Sequence, residues 1–249
     1  VRKTILPIAF AAALAVSFTV SPVEKADSKK AITHTIVNNS SAAASTTVAT
    51  AEATALSIYE RLELDKLGLS VDAMKYAYKG YEQLREKGAL ANSDVLTVVD
   101  FSQSSRKKRM YIIDLKNDKV LFNTYVAHGK NSGLDYANQF SNTPESLQSS
   151  LGFYVTKGTY SGKHGLSLRL SGQEKGWNDN AEERAVVVHG ANYIGDHRVS
   201  SAYMGRSFGC PAVPQEYAEK VINLLKDGTC LFIYHPSSRY EQESTLLNG

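Results

Sequence analysis

The feature that most constrains this fold is a change of period at Asn92. Before it, apolar residues recur at three- and four-residue steps. Ser70 is placed to cap a helix, Asp72 falls in its first turn, and Met74, Ala77, Tyr78, Tyr81 and Leu84 form one stripe that stops at Gly88. A shorter helix is expected around Leu56–Leu64, and the tyrosines of the stripe are read as packing residues. After Asn92 the chain becomes short apolar runs bounded by turn residues, the signature of strands. Val95–Phe101 is one. Met110–Leu115 and Lys119–Val126 read as a hairpin turning at Lys116-Asn117-Asp118. Val186–Val188 and Thr229–Tyr234 read as buried strands. The sole late helix is expected over Pro214–Lys226, where Tyr217, Val221, Leu224 and Leu225 share a face and Gly228 follows. The expectation is a mainly β domain with one helix near its end, preceded by a short helical segment.

From His128 to Gly172 Gly and Ser become frequent, a composition expected for loops that carry a binding surface. Residues after Pro236 read as a loose tail. At the N-terminus, Arg2 and Lys3 precede an apolar run from Ile5 to Val20, followed by Ser21 and Pro22. That order of charge, apolar run and small residues is a secretory signal peptide. The expected divisions are a signal peptide over 1–26, a flexible linker over 27–52, a helical segment over 53–91, a catalytic domain over 92–236 and a tail over 237–249. An exported protein, periplasmic or wall-associated, with no stable membrane span after processing and acting as a monomer, is the corresponding expectation. The formal net charge of +3 is mild. Arg106-Lys107-Lys108-Arg109 reads as a solvated turn between strands, and no extended basic footprint for nucleic acid exists.

Chemistry concentrates in Ser207-Phe208-Gly209-Cys210-Pro211-Ala212. Placed just before a helix starting at Pro214, the Cys210 thiolate would gain from the helix dipole and free amides. Gly209 lets the chain turn beside the sulfur and, with Ser207, is a candidate for positioning an oxyanion. A thiol nucleophile needs a base. His189, at the end of the Val186–Val188 strand, is the candidate, with Gly190 keeping its approach open. Residue pattern alone leaves a catalytic pair and an unrelated Cys and His both open. Only two cysteines are present, so a Cys210–Cys230 disulfide is a rival. Cys230 is expected to be a buried small hydrophobe instead. His128 could line a cleft or serve structure, and His164, in a Gly-flanked loop, could touch substrate. No H-E-x-x-H pattern supports a zinc site, and neither metal nor cofactor is expected.

VVVHGA at 186–191 followed by GRSFGCPAV at 205–213 resembles the murein L,D-transpeptidase catalytic family, whose pattern is a His, a long loop, then Ser or Thr, a variable position, Gly and Cys. VAHGKNSG at 126–133, FSNTPESLQSSLGFY at 140–154 and GKHGLSLRLSG at 162–172 extend the likeness. The resemblance implies a β-sandwich or barrel of L,D-transpeptidase type, and a Cys210 thioester with the donor stem of peptidoglycan. Transfer to an amine of a second stem would give a 3→3 cross-link. Water as acceptor would make an L,D-carboxypeptidase, and a non-catalytic peptidoglycan-binding protein of the same fold is the further alternative. Phe208 stands where the better-known branch has His, and Ala212 where an Arg is usual. Phe208 is therefore expected to be an apolar wall, and Arg206 the cation meeting a stem carboxylate.

Overall fold

The structure, a computed structural model, describes residues 40–249 and, before them, Ser17 alone. Apart from Ser17, the segment read as a signal peptide and residues 27–39 of the linker lie outside the described residues. No described helix is long and apolar enough to cross a membrane.

Two helices open the described chain: α1, Ser40–Arg61, and α2, Val71–Glu86. α1 begins inside the segment read as a linker. That segment is rich in Ala, the best helix former, so low complexity there did not mean coil. α2 starts where its cap predicts: the Ser70 hydroxyl accepts from Ala73 N. Its buried stripe includes Gly80, where a Cβ would come within 2.0 Å of Phe153. The helix can lie this close to the sheet only because that side chain is missing. The tyrosines pack as expected, and the Tyr81 hydroxyl donates to Ser93 O at 2.7 Å.

Eight strands follow: β1 Val95–Asp100, β2 Met110–Asp114, β3 Lys119–Thr124, β4 Gly152–Gly162, β5 Gly165–Gly172, β6 Val187–Ala191, β7 Ala212–Pro214 and β8 Cys230–Tyr234. They form one mixed sheet in the order β3-β2-β1-β8-β4-β5-β6-β7. β1 with β8 and β6 with β7 are parallel pairs; the others are antiparallel. The two edges approach each other. Ala127 N donates to Ala212 O at 2.8 Å, Ser207 N to His128 O at 2.9 Å and Lys130 N to Ser207 O at 2.8 Å. The chain leaving β3 thus hydrogen-bonds to the chain entering β7, and the sheet nearly closes into a barrel. α2 packs over β1 and β8, and α3, Ala218–Leu225, over β5 and β6.

Three features depart from expectation. The Ser- and Gly-rich stretch holds the long β4–β5 hairpin, whose distal half is solvated and so carries no apolar run. Arg109, read as part of a solvated turn, is fully buried: it donates to Val126 O, Gln103 O and His128 Nδ1, and lies 4.6 Å from the Phe101 ring centre. Burial pulls its pKa down to about 9, so it stays a cation at neutral pH. Burial and Arg109 together hold His128 down at about 4. His128 is therefore a neutral acceptor that fixes the loop after β3, which is a structural role. Third, the tail is folded. Two short helices, α4 Ser238–Glu243 and α5 Thr245–Asn248, bury Tyr240, Leu246 and Leu247. The buried Glu174 carboxylate accepts from Phe153 N at 3.0 Å, Tyr240 Oη at 2.7 Å and Ser244 Oγ. A buried carboxylate stripped of partners is costly. Deleting residues 237–249 removes two of these donors and is expected to destabilise the fold by at least about 2 kcal/mol, read as a lowered urea midpoint. A loose tail would leave the midpoint unchanged.

Candidate active site

The parallel pairing of β6 with β7 brings the site together. His189 lies opposite Ala212, two residues past Cys210. The His189 side chain is nearly buried, and its Nδ1 is 2.8 Å from Gly190 O. A carbonyl only accepts, so Nδ1 carries the proton and Nε2 keeps its lone pair. Burial lowers the His189 pKa, the Gly190 carbonyl partly offsets this, and His164 adds to the lowering. His189 is therefore neutral, and a base, at neutral pH. His164, in the exposed turn joining β4 to β5, stacks on it with ring centres 4.3 Å apart and planes at 25°.

Cys210 is not at a helix start. β7 and a 3-10 turn, Gln215–Tyr217, separate it from α3 at Ala218. Pro214, which resembles a first-turn proline in sequence, sits in the strand. The dipole expected to lower the thiol pKa is therefore absent. Burial raises that pKa, while the N–H groups of Val187 and of Cys210 itself and the charge of Arg184 pull it down. The resting group is a neutral thiol donating to Ala185 O at 3.7 Å. Ala185 has φ of 51°, a left-handed conformation that costs a non-glycine residue about 1 kcal/mol. That twist precedes β6 and turns the carbonyl toward the sulfur.

The turn bearing Cys210 is clamped by Ser207, whose hydroxyl accepts from Gly209 N at 3.1 Å and donates to Cys210 O at 2.6 Å. Ser207 is thus the fastener of the turn. The Gly209 N–H is spent on it and is not free for an oxyanion. The Cys210 N–H faces its own sulfur and favours the anionic form of it. Gly209 has φ of 126°, and a Cβ there would lie 2.8 Å from Gln148 O and 3.3 Å from Arg184 Nη2. Gly190 does not hold open an approach to His189: a Cβ would meet Gln215 Oε1 at 2.6 Å and Ala218 at 2.8 Å, so it lets the strand pack under α3. Its contribution to chemistry is its carbonyl.

Phe208 is 71% exposed, with Lys130 Nζ 5.1 Å from its ring centre. Arg206, expected to meet a stem carboxylate, has partners within the chain. Its Nη1 donates to Lys130 O at 2.8 Å and Gly133 O at 3.1 Å, and its guanidinium lies 4.7 Å from the Tyr203 ring centre. It fastens the loop after His128. The residue that sequence reading missed is Arg184. It lies beside Gly209 and reaches four groups of the 141–150 segment. An arginine two residues before a buried Val run, where the chain enters β6, was the available signal. Cys230 is buried on β8 with its pKa pushed up by burial, and both thiols are free. Among the described residues no three His, Cys, Asp or Glu side chains are grouped as a metal requires.

A family model of the L,D-transpeptidase catalytic domain matches residues 65–234. The chain belongs to that family. No curated protein matches it. Among solved structures it is similar to an L,D-transpeptidase from Mycobacterium smegmatis, at 15% identity and a TM-score of 0.35 over 57% of this chain and 59% of that one. It is also similar to the Ldtfm–avibactam carbamoyl enzyme, at 13% identity and a TM-score of 0.31 over 58% of this chain and 50% of that one. The chain thus spans 59% and 50% of the lengths of these two proteins.

Two outcomes follow from the geometry. Gly209→Ala forces a Cβ against the Gln148 carbonyl in a left-handed conformation, and thiol labelling and turnover should fall at least about tenfold for an added strain of about 1.4 kcal/mol or more. Retained activity would show that the turn is not constrained. With His189 as the base, its neutral form is the active one, so the acid limb of kcat/KM should lie below the ordinary histidine value of 6.5 and activity should be lost as pH falls through it. His164→Ala exposes His189 and removes a neighbouring charge. The limb should then move up in pH; an unmoved limb would mean that the stacking does not tune the base.

Proposed function

We propose that this protein is an L,D-transpeptidase of the cell wall that forms 3→3 cross-links between peptidoglycan stems through a Cys210 thioester. The observation that carries this reading is the pinned imidazole of His189. With Nδ1 held by Gly190 O, Nε2 is the basic nitrogen, on a strand paired with the one that Cys210 enters.

Both groups rest neutral, so the chemistry is general-base catalysis rather than attack by a preformed ion pair. Rotation of the Cys210 side chain away from Ala185 O carries the thiol proton to Nε2. The sulfur attacks the carbonyl carbon after the third stem residue, forming an S–C bond and an oxyanion. The Cys210 N–H, which favours the anionic sulfur before attack, is the donor that turns to that oxyanion once the S–C bond has formed. Collapse breaks the C–N bond. The proton on Nε2 passes to the leaving amine, and the terminal D-Ala departs. An amine of a second stem then attacks the thioester, gives its proton to Nε2 and restores the thiol. Transfer to water would instead release a tripeptide stem, the L,D-carboxypeptidase reaction. No metal or organic cofactor enters the sequence of steps. The basic and apolar N-terminal residues and the substrate together support an exported protein at the periplasm or wall.

The test is incubation with disaccharide-tetrapeptide and mass analysis of the products. A dimer lacking one D-Ala is expected; tripeptide alone would identify a carboxypeptidase, and no product would remove both. Cys210→Ala should abolish product and carbapenem labelling. Cys230→Ser should change turnover less than about twofold, because a buried thiol of raised pKa is inert. Product formed by Cys210→Ala would refute the nucleophile.

A further inference from the structure

Arg184 is half-buried just before β6 and, among the described residues, has no carboxylate partner. Its guanidinium is spent on neutral acceptors. Nη1 donates to Ser141 O at 2.7 Å and to Ser150 Oγ at 2.5 Å; Nη2 donates to Gln148 O at 2.6 Å and to Ser146 Oγ at 3.2 Å. Taking a cation partly out of water without an acid beside it is costly, and that cost is offset when a neighbouring group becomes an anion. The anionic forms whose charge reaches Arg184 are those of Tyr154 and Cys210. Tyr154 is fully buried, its hydroxyl donates to Ser150 O, and burial drives its pKa far above the working range, so it stays neutral. The Cys210 thiolate is the one that remains.

The same fork also builds the wall behind the nucleophile. Gln148 O, held by Nη2, is the atom that a Cβ on Gly209 would strike, and Ser149 Oγ donates to Gly209 O at 3.3 Å. The segment from Ser146 to Ser150 is a strap pressed on the turn bearing Cys210. Arg184 ties that strap down beside Gly209. Ala185, the next residue, supplies the carbonyl on which the thiol rests.

We propose that Arg184 is a positioning residue of the reaction: its charge favours the Cys210 thiolate as it forms, and its planar fork holds the Ser146–Ser150 strap against Gly209. The inference rests on Cys210 being the nucleophile. The other ionisable groups around the thiol are His189 on β6 with His164 stacked on it, Tyr193 after β6, Tyr154 on β4, and Lys130 over Phe208.

Charge and fork separate by substitution. Arg184→Gln keeps hydrogen-bonding capacity and loses the charge. Arg184→Lys keeps the charge and loses the planar fork. The readout is the rate of iodoacetamide alkylation mapped to Cys210 across pH, with turnover measured alongside. Alkylation reports the thiol whether or not the protein is a transpeptidase, so failure of this inference is distinct from failure of the functional reading. Arg184→Gln should shift the alkylation profile to higher pH and slow alkylation about tenfold at neutral pH, the effect of one removed neighbouring charge. Arg184→Lys should keep the wild-type alkylation profile yet lose turnover through the loosened strap. Unchanged profiles in both variants would overturn the proposal, and so would equal shifts in both, because the role would then be packing alone. Arg184→Met, also neutral, takes the place of Arg184→Gln if that variant does not fold.

Discussion

Three residues, Ala212–Pro214, are held from both sides, and the site depends on that hold. On one side β7 pairs in parallel with β6, which sets His189 opposite Ala212. On the other, Ala212 O accepts from Ala127 N, and Ser207 is bonded to His128 O and Lys130 N. A strand of three residues has little stability alone. Its position comes from being the seam where the sheet closes. Closure explains why so much polar material is buried near it: Arg109 and His128 fix the chain leaving β3, and Arg206 fastens the loop beyond. Cys210 is presented by the seam rather than by a helix.

That placement decides the chemistry. A cysteine at a helix start would gain a low pKa from the dipole and be reactive at rest. Cys210 has no such help, and burial works against ionisation. His189 is likewise held neutral by burial. A neutral thiol and a neutral imidazole leave the proton to move only when substrate offers an electrophile. This resting state also resists adventitious oxidation, since the thiolate is the vulnerable form. The strained Ala185 carbonyl gives the idle thiol an acceptor.

Much of this was legible in the sequence, in places where one period dominated. The α2 stripe, the β1–β3 strands and the last strand are apolar patterns that stand where the pattern put them, whereas the strand read as ending at His189 runs on through Gly190 and Ala191, so His189 sits in mid-strand. The β4–β5 hairpin was not legible because its distal half faces solvent and its sequence, GTYSGKHG, is that of a loop. Arg109 was hidden in a run of four basic residues, of which only the last turns inward; no local pattern distinguishes it. The tail was misjudged because its anchor is distant: Tyr240 and Ser244 are buried by Glu174, about seventy residues earlier. Within the site, His189 and Cys210 were marked by motif, whereas Gly209, Ser207 and Arg206 were assigned tasks that depend on which hydrogen bonds they had already made. Those bonds are tertiary and cannot be read from spacing.

The central claim is a thioester on Cys210. Mixing the protein with disaccharide-tetrapeptide, quenching in acid within the first turnover and weighing the intact chain tests it most directly. The account predicts an adduct of the donor less its terminal D-Ala, released by hydroxylamine and mapped by digestion to the peptide containing Cys210. Product formation with no adduct, or an adduct mapped to any other residue, would contradict it.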